Sequence, residues 1–340
     1  MIPSQEKHLR QEVIALFDKA ALKAFYSLRP GRVLWTFAHI WTGIIVALAL
    51  AAWVWRSDGW GTKLLIPLIV FYIGTRLNAI AVQVHEAAHQ LLFSKRRTND
   101  LFCDLFGAYW VLNDVGSYRR VHLIHHTDLH LVSDPDRELY ELSPGTGRST
   151  LVRALLQDVF WVTAVRRILS YLKIPGRGEA GASGASKLHL LAKLGCQGLL
   201  GGASVLAFGG WQGPLFYLVF WLLPLFSVFP AIIRLRIVTE HFSPLLHEAS
   251  GKPFICRTTC TAPLEIYLFG CDMEHHFEHH LFPTIPHPQL ARLHAALVER
   301  QFFQGHPPDE DHLSAGYLWF WCRLFRGQGR PSSTPDPVLH

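Results

Sequence analysis

From Val33 to Trp55 the chain runs without a single Asp, Glu, Lys or Arg. An apolar stretch of this length spans the hydrocarbon core of a bilayer as a helix. Lipid offers backbone N–H and C=O groups no partner, so a spanning segment must satisfy its own hydrogen bonds. Trp35, Trp41, Trp53 and Trp55 lie towards its two ends, where interfacial aromatics belong. Three further stretches read the same way, giving expected spans at about 33–55, 64–84, 190–208 and 214–233. Arg76 interrupts the second and is read as a side chain snorkelling to the interface. Lys193 stands near the start of the third, which is Gly-rich. Only 17% of residues are charged and half are hydrophobic, against roughly 25% charged in soluble domains. The expected fold class is therefore all-α: an integral membrane protein with about four transmembrane helices and a helical cap.

Charge sets the expected orientation. The outer turns carry only Arg56 and Lys63, whereas the segment from His85 to Lys187 carries thirteen Lys and Arg. Basic residues are retained on the cytoplasmic side, which places both termini and the cap in the cytosol. The net charge of +6 is accounted for in this way, and no aromatic-interleaved basic motif speaks for nucleic acid. Residues 1–32 lack the apolar core of a signal peptide and read as one or two amphipathic surface helices. The membrane domain is expected over 33–325, with a Pro/Ser-rich, disordered tail over 326–340. Leu101 to Leu112 is too short to span and reads as interfacial or re-entrant. Leu151 to Leu172 is amphipathic, Gly176 to Ser186 is a linker, Leu246 to Thr261 is a loop, and a helix from about Ala262 is expected to run on through His276, His279 and His280. The six cysteines are scattered, and Cys256-x-x-x-Cys260 lacks a second pair to complete a zinc site. Free thiols in a reducing compartment are the reading.

Chemistry enters with histidine. Eight histidines fall into three clusters: His85 with His89; His122, His125 and His126; His276, His279 and His280. On a helix, residues three and four apart share a face, so each cluster converges. Neutral imidazole is the commonest protein metal ligand. Eight are too many for one tetrahedral zinc and suit two octahedral-type ions, iron among them. His130 extends the second stripe and is read as a supporting or surface residue.

The three boxes resemble those of the membrane fatty acid desaturase superfamily, which includes acyl desaturases, hydroxylases and carotenoid hydroxylases and ketolases. The resemblance covers about Arg76 to Leu297. Its sharpest part is His276-Phe-Glu-His279-His280-Leu-Phe-Pro283, followed by Pro286 and Leu290-Ala-Arg-Leu-His294. Asp134-Pro-Asp136 after the second box is also similar to family members. The resemblance implies a cytosolic di-iron centre, and a ninth ligand at His241 within Thr239-Glu240-His241. Some relatives place an Asn one turn earlier, where this chain has Ile237. It also implies O₂ as co-substrate, a lipid or acyl substrate, and a separate electron donor. That donor would be a ferredoxin, or cytochrome b5 with its reductase, because the chain shows no nucleotide-binding Gly motif, flavin site or fused cytochrome module. The implied reaction is insertion of a C=C bond. Hydroxylation or ketolation of a lipid or carotenoid, or alkene-forming decarboxylation, remain open alternatives.

The histidines also bear on two other functional classes. His85-Glu86-Ala-Ala-His89 matches the zinc metalloprotease signature, with Glu86 as general base. That reading leaves six box histidines unexplained, and Glu86 is better read as an acceptor orienting a ligand histidine. A metal transporter would hold its ligands at the membrane midplane, whereas these histidines lie beyond the spans.

Overall fold

The computed structural model describes residues 2–141, 147–166, 184–242, 256–259, 261–305, 313–314 and 316–326. The expected tail beyond Arg326, residues 167–172 of the amphipathic stretch, much of the Gly/Ala/Ser linker and most of the 246–261 loop lie outside them.

The described chain is almost entirely helical. Two short helices, α1 (Ile2–Ala15) and α2 (Lys19–Phe25), precede α3 (Pro30–Arg56). Asp18 caps α2 by accepting from the Ala21 N–H at 2.7 Å. The next long helix is α4 (Ile66–Ala88), followed by α5 (Arg96–Phe106), α6 (Val115–Thr127) and α7 (Gly147–Val159). Then come α8 (Gly184–Phe208) and the rod α9 (Gln212–His241). Towards the C-terminus come α10 (His276–Leu281), α11 (His287–Glu299) and, beyond a single turn at Phe302–Gly305, α12 (Tyr317–Phe325). Strand content is a two-residue parallel pair, Thr258–Thr259 with Leu313–Ser314.

Four of these helical stretches are long and apolar enough to cross a membrane, at the places the hydropathy reading expects. They are not equally enclosed. α4 packs at the centre, its Ile69, Ile73, Leu77 and Ile80 meeting Ile40 and Ile44 of α3 and Phe220 and Leu225 of α9. α8 buries none of its most apolar window, so lipid is its main solvent. The middle of α9 winds in wide π turns over Leu218–Leu222 and Pro224–Val228. Pro224 and Pro230 remove N–H donors there, and looser turns accommodate the loss. α4 and α9 meet where Gly74 faces Val228, and a Cβ on Gly74 would lie 2.4 Å from the Val228 side chain.

Two local expectations need correcting. Arg76 does not reach for the interface. It is 2% exposed, folds inward and stacks on Tyr267, 3.8 Å from the ring centre. The third box does not continue one helix from Ala262. Helical winding over 263–270 stops at Cys271 and Asp272, whose φ angles of 52° and 75° lie in the left-handed region. The box then occupies its own short helix, α10.

α5 is two-sided. Asn99, Cys103 and Asp104 are buried beneath it, while Leu101, Leu105 and Phe106 stay exposed.

Candidate metal centre

Four helix ends deliver the histidines. His85 lies in the last turn of α4 and His89 caps that helix. α6 begins at Asp114, whose carboxylate accepts from the Ser117 N–H and pairs with Lys193, each at 2.7 Å. It carries His122, His125 and His126. α10 carries His276, His279 and His280, and α9 ends on His241.

The relative placement of these ends is held by backbone caps. Arg119, one turn before His122, donates from Nε to the Ala88 carbonyl and from Nη2 to that of Ala87, both at 2.7 Å. Its Nη1 meets Asp100 at 2.8 Å. The open carbonyls below His89 are thereby satisfied, and the second box is tied to the first. Arg257 does the same for α9, reaching the Thr239 and Phe242 carbonyls below His241. Asn78 links α4 to the Phe269 carbonyl at 2.9 Å and to Arg236 at 3.2 Å.

All nine predicted histidines converge, in two adjoining groups. The ring nitrogens of His85, His89, His122, His126 and His279 lie within 4.8 Å of one another, as do those of His125, His241 and His280. His276 joins the second group through His241, Nε2 to Nε2 at 2.9 Å. Nε2 atoms also meet between His89 and His122 at 2.8 Å, His122 and His126 at 3.0 Å, and His126 and His279 at 3.1 Å. Both ring nitrogens of His85 are buried without a hydrogen-bond partner, and so is Nε2 of His280. Burial, reinforced by neighbouring imidazoles, holds His122, His126, His279 and His280 well below the usual histidine range. Burial and the nearby Arg119 push His89 down to about 3. Neutral rings with converging, unpaired nitrogens form the donor set a pair of imidazole-preferring cations needs.

Carboxylates border this cluster, and one of them, Glu240, brings an oxygen within 4.8 Å of a ring nitrogen of His241 and of His276. Asp134 accepts from His125 Nδ1 at 2.9 Å and from the Asp136 N–H at 2.9 Å, and Tyr140 donates to it as well. Burial would raise the Asp134 carboxyl, but the bonds from His125 and Tyr140 outweigh it and hold it below its ordinary range. The carboxylate thus fixes which nitrogen of His125 carries the proton and turns Nε2 inward. Glu240 pairs with Arg236 at 2.9 Å and stands 3.8 Å from His276 Nε2. Glu278 turns away, to Thr258 and to His294 Nδ1 at 2.5 Å. His130 supports rather than joins: its backbone N–H donates to Asp134 at 3.3 Å and to Tyr140 at 3.2 Å.

Glu86 has a different partner from the expected one. It accepts the His287 backbone N–H at 3.1 Å, and its other oxygen lies 3.0 Å from His287 Nε2, out of line for a hydrogen bond. The His287 ring packs 5.1 Å from that of His85 and 5.3 Å from that of His279. Helical spacing missed His287, because it stands alone in Pro286-His287-Pro288 at the start of α11. The flanking prolines, which fix the backbone beside the third box, were the available signal.

The family model for fatty acid desaturases matches residues 59–309, a stretch that holds all three boxes and His241. The chain belongs to the fatty acid desaturase family. Its curated relatives include the dihydrorhizobitoxine desaturase of Bradyrhizobium elkanii, 24% identical over 336 residues, covering 93% of this chain and 87% of that protein. A desaturase-family oxidoreductase with membrane-spanning helices accounts for the buried histidines far better than a protease does. Glu86, the general base a protease would need, is bound to His287 instead.

Proposed function

We propose that this protein is an O₂-dependent di-iron desaturase that introduces a C=C bond into a fatty acyl-type substrate. The observation that carries the reading is the convergence of nine histidines, seven buried and His89 and His126 partly so, from four helix ends within a chain of this family. The ligands would be His85, His89, His122, His126 and His279 around one ion, and His125, His241, His276 and His280 around the other. Two irons would supply reduction of O₂ to an oxidant strong enough to take hydrogen from an unactivated C–H bond.

The chain's own residues do the rest. Asp134 holds His125 in one tautomer. Arg119 and Arg257 lock the helix ends, so the nine rings are set before any ligand arrives. Burial keeps water from the histidine cluster and so from any reactive species formed there. With ring positions fixed, placement of two adjacent substrate carbons decides between loss of a second hydrogen and oxygen insertion. The electrons would come from a separate ferredoxin, or from cytochrome b5 with its reductase, steered by the basic face. Domain limits of 33–325 for the catalytic unit, with a surface segment before it and a tail after it, belong to the same proposal.

The product test uses reductant, carrier protein and a deuterated acyl substrate under ¹⁸O₂. An alkene that has lost two hydrogens and gained no ¹⁸O is the expected product. A dominant labelled alcohol or ketone would instead place the chain among the hydroxylating and ketolating members.

Orientation is part of the proposal, with boxes and termini on the cytosolic side. In a background stripped of accessible native cysteines, an impermeant thiol reagent added outside is expected to label Gly59→Cys and Gln212→Cys and to spare Ser94→Cys. Labelling of Ser94→Cys from outside would reverse the topology.

A further inference from the structure

A groove between α3, α4 and the 263–272 segment holds a charge for which the proposed chemistry has no use. Arg76 sits in a membrane-spanning helix and is 2% exposed. A guanidinium keeps its charge, and an ionisable group at membrane depth is costly unless something requires it. Its contacts among the described residues are the Tyr267 carbonyl, the Thr75 hydroxyl at 3.3 Å, and the faces of Tyr267 and Tyr72. None of these is a carboxylate.

The surroundings are built to hold the group in place. Tyr72 and Tyr267 share a hydrogen bond of 2.6 Å beside it. The residue opposite is Gly43, where a Cβ would lie 2.6 Å from the Tyr72 hydroxyl and 3.5 Å from Arg76 Cδ. Arg76 lines a groove of about 400 Å³, together with Arg32, Trp35, His39 and Asp272. That size suits one small ligand. A narrower cleft shares Arg32, Thr36, Gln83 and Asp272 with the groove and continues to Glu86 and His287. Arg76 and the ring that packs against His85 thus border adjoining spaces, a wide groove and a narrow cleft.

Charge and shape select the ligand. Arg32 and Arg76 bring two positive charges and Asp272, 3.3 Å from Arg32, brings one negative. A single-charged anion neutralises the remainder; a doubly charged phosphate monoester overshoots it. The planar guanidinium edge suits a carboxylate. Nine residues of helix separate Arg76 from His85, roughly 14 Å along the axis.

We propose that Arg76 receives the carboxylate of an unesterified acid, whose carbon chain runs past Gln83 to the histidine cluster as the substrate of the desaturation. The assignment rests on the desaturase reading above and adds the substrate class: a free acid rather than an esterified acyl group.

The test is equilibrium binding of radiolabelled decanoate, methyl decanoate and decyl phosphate to the full-length, iron-loaded protein in detergent. Decanoate is expected to bind roughly tenfold or more tighter than the ester, the effect of one charge-assisted hydrogen-bonded contact. Arg76→Gln is expected to erase that preference with iron content unchanged, and Arg76→Lys to keep part of it. Equal binding of acid and ester by the unaltered protein overturns the proposal without recourse to any variant. So does an acid preference that survives in Arg76→Gln. Tighter binding of decyl phosphate than of decanoate assigns the groove to a lipid phosphate and overturns it too. Because binding is read without turnover, loss of the preference counts against this site alone. An intact preference with no desaturated product counts against the desaturase reading.

Discussion

Replacing His279 by Ala is expected to abolish product formation and to lower the iron content of purified protein from about two atoms per chain to one or fewer. His279 is fully buried on α10. Its Nε2 meets His126 Nε2 at 3.1 Å, and its ring lies 4.5 Å from His85 and 4.8 Å from His89. It is therefore the member of the third box that joins the five-histidine group. Its immediate neighbour His280 belongs to the other group, beside His125 and His241. Removing one imidazole thus opens the first ion site and disturbs the helix that serves the second. His8, on the exposed face of α1 with its side chain 73% accessible, is the matched control, and His8→Ala is expected to keep both iron and activity. Elemental analysis and product assay on the two variants decide the matter. A single stoichiometric zinc in the unaltered protein, or full iron in His279→Ala, would overturn the di-iron assignment.

What was legible in the sequence was what repeats over short distances. The spacing within each histidine box is local, and α4, α6 and α10 turn each box to one side. The four apolar stretches are likewise local, and the long helices lie where hydropathy put them. What could not be read were contacts between residues far apart in the chain. Glu86 finds His287 across 201 positions, and Arg76 finds Tyr267 across 191. No local pattern distinguishes an arginine that snorkels from one that folds inward against two tyrosines. The break before α10 was hidden for a different reason. Cys271 and Asp272 adopt left-handed backbone although neither is glycine, so the usual marker of such a turn is missing. His241 came from resemblance rather than spacing, since a single histidine at the end of a long apolar rod carries no periodic signal.

Arg119→Ala is expected to be the most destabilising single change outside the histidines, because one side chain closes the end of α4 and aligns two boxes. Arg119 is 8% exposed and its guanidinium serves three acceptors: the carbonyls of Ala87 and Ala88, and Asp100. Truncation opens the buried Ala88 carbonyl just below His89, takes one donor from the Ala87 carbonyl, which keeps Asn99 at 2.9 Å, and leaves the half-buried Asp100 carboxylate with Arg96, at 3.8 Å, as its cation. An unsatisfied buried acceptor and a broken, largely buried ion pair together cost about 3 kcal/mol. Salt-tolerant loss is expected, since the backbone contacts are shielded from solvent and screening reaches them weakly. Arg119→Lys restores a charge but not the fork that spans three acceptors, so it is expected to recover only part of the loss. Arg120, next in sequence and exposed, should change stability by no more than about 0.5 kcal/mol when replaced by Ala. Thermal unfolding in detergent, with iron measured on the same samples, separates the outcomes. If α4 and α6 are held together by this arginine, Arg119→Ala lowers the unfolding midpoint by several degrees and loses iron, because His89 and His122 no longer keep their 2.8 Å approach. An unchanged midpoint with full iron would mean that apolar packing between α4 and α6 alone sets the geometry of the centre.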